Sequence, residues 1–270
     1  MKKSLCILWS VILLSACVKN ETAETAVEPV EVNIGVGMQR EIDGELGTRA
    51  GVDAVDWGQY DVRYILEART SEGERASRTV INGENMGSPV SFNIRLIPGE
   101  YEFLCWADIV PQGSDADVCY NTDDLRAVKI KESYTGASVY REAFAWRGSA
   151  SFSSAFSLQA TLVRPFAKLM LENKTENNNT ASVTLTFSAG TFMDTYDVMT
   201  GVASASGNAI QPSYPSTVAG NNVLAWDFLF VPESGITAFQ VSVGSAQKQV
   251  NNIQLKKNTV TRVIGEFVNK

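Results

Sequence analysis

The sequence predicts an all-β protein built as a β-sandwich in one or two modules. Three observations lead there. From residue 30 onward apolar residues recur at every second position, and the helical period is nearly absent. The alternating runs are short and separated by turn residues at close spacing, which is how sandwiches read. The chain has 270 residues, 44% of them hydrophobic, enough for one or two domains with a true core.

An address precedes the strands. Lys2 and Lys3 open the chain, and residues 4–14 (SLCILWSVILL) form an apolar run of signal-peptide length, too short to span a bilayer. It ends in Leu14, Ser15, Ala16 and Cys17, which resembles the bacterial lipobox, where small residues let a peptidase reach the bond before a cysteine. The resemblance implies a signal peptide over 1–16, cleavage after Ala16 and lipidation of Cys17. Two or three acyl chains anchor a protein firmly, where one holds it only marginally. Residues 17–29 are polar and acidic without an apolar period, and are expected to be a disordered tether. Lys19 and the glutamates after it loosely resemble the acidic export signal of Bacteroidetes surface lipoproteins. The expected location is therefore the outer membrane, lipid-anchored and exposed at the cell surface.

The body then reads as strands in order. Residues 30–38 alternate strictly, with Val30, Val32, Ile34, Val36 and Met38 on one face. Residues 60–69 form a second strand, and residues 89–96 carry Val90, Phe92, Ile94 and Leu96 on one face. A turn at Pro98 and Gly99 sends residues 101–107 back as a hairpin. Residues 108–124 read as loop, and 132–154 are weakly patterned. In the second half 156–163 and 166–173 are strands broken by Arg164 and Pro165, followed by 182–188 and 192–199. Residues 200–222 are a Gly, Ser, Asn and Pro-rich loop. Strands at 222–231, 238–243, 247–255 and 259–268 close the chain. Short helices are expected only near 53–57 and 122–126. The expected division is an N-terminal sandwich over 30–135, a linker over 136–149 and a C-terminal sandwich over 150–270. Core positions include Val32, Ile34, Phe92, Ile94, Phe103, Leu185, Phe187, Phe228 and Phe230.

The order of several short motifs adds a resemblance. After the lipobox, tether and first strand comes the hairpin from Leu96 to Phe103, ending in Cys105-Trp106-Ala107-Asp108. Leu162-Val163-Arg164-Pro165-Phe166-Ala167-Lys168-Leu169 stands at the midpoint, then Tyr196-Asp197-Val198-Met199-Thr200-Gly201, and the last strand runs from Asn258 to Phe267. This order resembles the fimbrillin-like lipoproteins of Bacteroidetes, a superfamily of pilins, pilus anchors and adhesin-like proteins. The resemblance implies two tandem transthyretin-like Greek-key sandwiches on the cell surface. In pilin members an arginine placed like Arg49 resembles a protease site, which would cut before Ala50 and release the first strand for donor-strand exchange with other pilus subunits. The alternative is that the strand stays in its sheet and Arg49 is ordinary loop charge.

Composition narrows the chemistry. There is no histidine, which excludes His-based triads and His-ligated zinc. The net charge is -7, from 23 basic and 30 acidic residues, which argues against nucleic acid as a partner. Cys105 and Cys119 make an even pair in an oxidising compartment. A bridge between them would close a loop of about 15 residues, worth up to ~3 kcal/mol. The alternative is a small apolar residue buried in a strand. Asp115, Asp117, Asp123 and Asp124 match no calcium-loop spacing and read as solvated loop charge. No serine elbow and no phosphate loop is present, and neither catalytic nor metal-binding residues nor a cofactor are expected. Trp106 and Trp226 sit inside strand patterns and read as core. Trp57 and Trp146, at strand margins, are candidates for a carbohydrate-stacking platform.

These readings combine into a non-catalytic, lipid-anchored surface subunit for adhesion or pilus association, binding host or bacterial surface ligands. The rival reading is a surface carbohydrate-binding lipoprotein of a glycan-uptake system.

Overall fold

The computed structural model describes residues 27–39, 55–131, 136–177, 181–214 and 221–268. The first half contributes β1 (Val30–Met38), β2 (Tyr60–Thr70), β3 (Arg75–Gly83), β4 (Val90–Leu96), β5 (Gly99–Pro111), β6 (Tyr120–Asn121), β7 (Val128–Ile130), β8 (Ala143–Phe152) and β9 (Phe156–Leu162). The second contributes β10 (Phe166–Asn177), β11 (Val183–Thr186), β12 (Thr195–Asp197), β13 (Val202–Ser204), β14 (Ser213–Tyr214), β15 (Asn221–Phe230), β16 (Ile236–Val243), β17 (Ala246–Gln254) and β18 (Val260–Gly265). Among the described residues the only helical piece is a single 3₁₀ turn, Val139–Arg141. Of the helices expected near 53–57 and 122–126, residues 53 and 54 lie outside the described residues, and 55–57 and 122–126 are not helical. Trp57 sits in a turn, and Asp124 closes another by accepting the Ala127 N–H at its carbonyl.

Two sandwiches share one strand order. In the first, the sheet β4-β1-β9 packs on the sheet β3-β2-β5-β8; in the second, β15-β10-β18 packs on β14-β11-β16-β17. Taking each module's seven strands in sequence, both sheets have the same order, and in both the first strand lies between an antiparallel and a parallel neighbour. Both modules are thus β-sandwiches, as the strand alternation predicts.

Alternation explains the small sheets. Val32, Ile34 and Val36 of β1 face inward against Phe92, Ile94 and Leu96 of β4, and the odd positions face solvent. The central strands β2 and β5 differ, since nearly every position is buried on both faces. Their inner face carries Tyr64, Leu66, Phe103 and Cys105. Their outer face carries Ile65, Leu104 and Trp106 together with Arg63, Glu67 and Asp108.

That outer face is covered by a third layer. The sheet β13-β12-β7-β6 draws strands from both halves of the chain, with Val128 of β7 opposite Tyr196 of β12. Beneath it Trp106, Tyr120, Leu125, Phe166, Tyr196, Phe228 and Phe230 form one apolar cluster spanning both halves. All nine expected core positions are buried, but Phe228 and Phe230 belong to this shared cluster rather than to the second sandwich's own core.

The expected linker over 136–149 is corrected by the register. β8 pairs with β5 along its whole length, and β9 pairs with β1, so strands through Leu162 complete the first sandwich. The chain enters the second sandwich through Arg164 and Pro165. Arg164 marks that join: its guanidinium bonds Glu142 and Asn258 and lies 4.7 Å from the centre of the Phe144 ring.

Candidate functional site

Among the described residues, two clusters of buried charge bear on how the sandwiches are joined. The first is the outer face of β2 and β3. Arg63 makes a two-pronged pair with Asp108, at 2.9 and 2.7 Å, and a further contact of 2.9 Å to Asp117. Glu67 is fully buried and receives Arg69, Arg75 and Arg78. The same arginines reach across to the segment between β5 and β7. Arg69 bonds Asp124, Arg75 the carbonyl of Asp123, and Arg78 the carbonyl of Thr122. Four arginines thus strap residues 115–124 onto the sheet, and the acidic loop read from the sequence is their counterpart. Burial pulls the Arg63 pKa down, but Asp108 and Asp117 outweigh it and hold the guanidinium above its ordinary value. Burial pushes the Asp117 carboxyl up, yet the N–H and hydroxyl of Thr122 and the Arg63 guanidinium hold it below the usual range.

The second place is the seam with the later module. Arg141, in the 3₁₀ turn before β8, reaches into the second sandwich and pairs with Asp227 of β15; the two side chains are 4% and 1% exposed. Tyr214 donates to the other oxygen of Asp227 at 3.0 Å, and Arg141 also donates to the carbonyl of Phe228. The Arg141 carbonyl accepts the Tyr120 hydroxyl. Gly136 lies so close to the Tyr214 ring that a Cβ there would come within 2.1 Å of a ring carbon. A loop of the first half is therefore built into the second. Chemically these groups are spent on each other, and among the described residues no three carboxylate or thiol groups converge as metal ligands.

Residues 24–270 match a family of unknown function, DUF6562. The chain belongs to that family. No curated protein matches the sequence. A Bacteroides thetaiotaomicron protein provisionally described as polysaccharide-binding is similar in structure, with TM-score 0.52, 11% identity, and 82% of this chain covered against 78% of that one. A Bacteroides ovatus protein provisionally described as an adhesin has TM-score 0.50 and 11% identity, covering 87% of each chain. The fimbrial anchor protein Mfa2 of Porphyromonas gingivalis has TM-score 0.49 and 11% identity, over 79% of this chain and 78% of that one. At such identities the likeness of the first two establishes a shared fold for this DUF6562 chain.

The residues singled out from the sequence fare differently in this DUF6562 chain. Cys17, Arg49 and Ala50 lie outside the described residues. Cys105 and Cys119 are both free thiols, which corrects the bridge. Strand alternation is the reason: Cys105 points into the first sandwich, whereas Cys119 packs against the shared cluster on the other face of the sheet. Burial raises both thiol pKa values, that of Cys119 to about 11, and the Cys119 thiol donates to the Tyr140 carbonyl. Trp57 and Trp146 both pack half-buried on the first core. Trp146 stands opposite Cys105 and level with Leu66, six positions along β2 from Tyr60, whose preceding turn holds Trp57. At ~3.3 Å per residue that separation is about 20 Å, so they do not form one stacking platform. The Trp146 indole also folds over Gly148, within 2.4 Å of where a Cβ would stand. Sequence reasoning missed Arg141, Asp227 and the arginines of β3. Asp227 inside an otherwise apolar strand was the available signal, because a lone buried carboxylate requires a partner.

Proposed function

We propose that the chain is a non-catalytic, lipid-anchored surface subunit for adhesion or pilus association, a fimbrillin-like member of the outer-membrane lipoproteins. The observation that carries this reading is the tandem-sandwich fold, shared over 87% of both chains with the protein provisionally described as an adhesin. The lipobox ending in Cys17 supports the anchor. The engagement of the described carboxylates by arginines in the two polar clusters supports a scaffold role. The test is expression with the native leader in a Bacteroides host. Wild-type chain should partition with membranes and be accessible to protease added to whole cells, and Cys17→Ala should be soluble. Cys17→Ala bound as tightly as wild type would refute the anchor.

A strand-exchange role fits the place of β1. It lies between β4 and β9 and supplies Val32, Ile34 and Val36 to the core. Its removal would leave two strand edges and an apolar trough, which a strand from another subunit could fill. The second reading, a carbohydrate-binding lipoprotein of a glycan-uptake system, is favoured by the description of the Bacteroides thetaiotaomicron neighbour. Retention on a polysaccharide gel, lost in Trp57→Ala or Trp146→Ala, would support it.

A further inference from the structure

The segment Tyr196-Asp197-Val198-Met199-Thr200-Gly201 runs from β12 toward its antiparallel partner β13. In the fold it is the β12–β13 turn, and two cations from opposite halves close on it. Arg147 of β8 donates to the carbonyl of Met199. Lys257, in the turn between β17 and β18, donates to the carbonyl of Gly201 and stands 5.3 Å from the centre of the Tyr196 ring. Gly201 adopts φ 70°, the left-handed region glycine favours. A Cβ there would lie 3.7 Å from the Tyr196 hydroxyl and 3.8 Å from the Lys257 ammonium. Hydroxyl and ammonium thus stand on the same side of Gly201, with the Arg147 guanidinium at the Met199 carbonyl two residues before it.

Three facts mark these groups as able to take a further acceptor. Neither Arg147 nor Lys257 meets a carboxylate among the described residues; their partners there are backbone carbonyls. Tyr196 is buried as a residue, but its hydroxyl makes no hydrogen bond to a described residue and is the part that reaches solvent. The two cations also sense each other: burial, then the Arg147 charge, lowers the Lys257 pKa. The Tyr196 phenol is pushed up to about 12 by burial, with Arg147 opposing, so it stays a donor at neutral pH.

The charge of the missing acceptor can be read as well. Asp197 turns its carboxylate to the backbone, accepting the N–H groups of Met199 at 2.8 Å and Thr200 at 3.3 Å. Two cations and this one anion leave the cluster with a single positive charge, the complement of a monoanion. The Tyr196 ring is stacked on Phe230 at 5.3 Å, with Lys257 over it, so the ring offers no stacking surface.

We propose that Arg147, Lys257 and the Tyr196 hydroxyl form a carboxylate-binding site across the seam of the two halves. The carboxylate would take a charge-assisted bond from each cation and a third from the phenol. The site stands on this geometry and does not depend on the chain being an adhesin.

The test uses the full soluble chain with its lysine side-chain nitrogens labelled, titrated at matched ionic strength with acetate, galacturonate, galactose and sulfate. Acetate and galacturonate should shift the Lys257 signal saturably and raise its pKa, and galactose should not. Galacturonate binding tighter than acetate would identify an acidic sugar as the source; equal binding would identify the carboxylate alone. Arg147→Gln should weaken binding more than tenfold. Tyr196→Phe, which keeps the ring stack, should weaken it several-fold with an unchanged circular dichroism spectrum. No saturable shift with either carboxylate, an equal response to galactose, tighter binding of sulfate, or unchanged affinity in both variants would overturn the proposal and leave the cations as ties on the turn.

Discussion

The Arg141–Asp227 pair offers the sharpest test of how the two halves are joined. Asp227→Ala leaves a guanidinium in a site 4% exposed, with the Tyr214 hydroxyl losing its acceptor as well. Breaking a buried pair from one side costs about 3–5 kcal/mol, because the remaining charge stays desolvated. Tyr214→Phe removes one hydrogen bond to a charged acceptor and should cost about 1.5–3 kcal/mol. Replacing both partners by apolar residues, Arg141→Met with Asp227→Leu, removes the desolvation together with the attraction and should come within about 1–2 kcal/mol of wild type. The double-mutant cycle should therefore show a coupling of at least about 2 kcal/mol, well above the few tenths expected of independent sites. Urea unfolding followed by circular dichroism measures it. Arg141→Met and Asp227→Leu should each, alone, also make the transition less cooperative, since the pair is a tie between modules. Additive losses in the double variant, or an Asp227→Ala cost under about 1 kcal/mol, would refute the reasoning.

Further outcomes follow from other parts of the fold. Intact-mass analysis of the unlabelled protein should find two free thiols outside the leader; Cys105 should react with a disulfide reagent only on unfolding, and Cys119 slowly at pH 8. Asp117 titrates lower when folded than unfolded, so it stabilises above pH ~4 and that contribution is lost as pH falls through the folded value. The gap in urea midpoint between wild type and Asp117→Asn should accordingly be larger at pH 7 than at pH 3. Trypsin cleavage at Arg49 should yield oligomers that grow with concentration if β1 leaves its sheet, whereas a stable monomer still holding residues 30–38 would refute strand exchange.

The energetics of β1 explain why that last outcome is decisive. Val32, Ile34 and Val36 are all less than 5% exposed. Burying such side chains is worth about 1.5–3 kcal/mol each, so losing the three forfeits several kcal/mol before any backbone hydrogen bonds are counted. Whole domains are stable by only about 5–15 kcal/mol. A first sandwich without β1 is thus near its limit and must either unfold or recruit a replacement.

The strands that were legible in the sequence have one wet face and one dry one. β1, β4 and β9 alternate cleanly because their outer faces meet solvent, and so the pattern alone places the inward residues of β1 and β4. What escaped was structure whose second face meets protein. β8 reads as a linker because Ala143 and Ala145 pack against the shared cluster while Phe144 packs into the first core, and Gly148, Ser149 and Ser151 dilute the pattern. β3 carries charge at Arg75 and Arg78, which signals solvent, yet both guanidiniums turn back to Glu67. The short strands β6, β7, β12, β13 and β14 carry too few residues for a period, and three of them lie in stretches that read as loops. Those stretches build the layer that joins the sandwiches. The individual modules are encoded locally, by alternation; their union is encoded by buried charge and by pairs such as Val128 with Tyr196, far apart in sequence. Periodicity cannot report such pairs. The resulting cover over β2 and β5 also explains why two interior strands tolerate Arg63, Glu67 and Asp108, each buried against a partner supplied by another strand or by that layer.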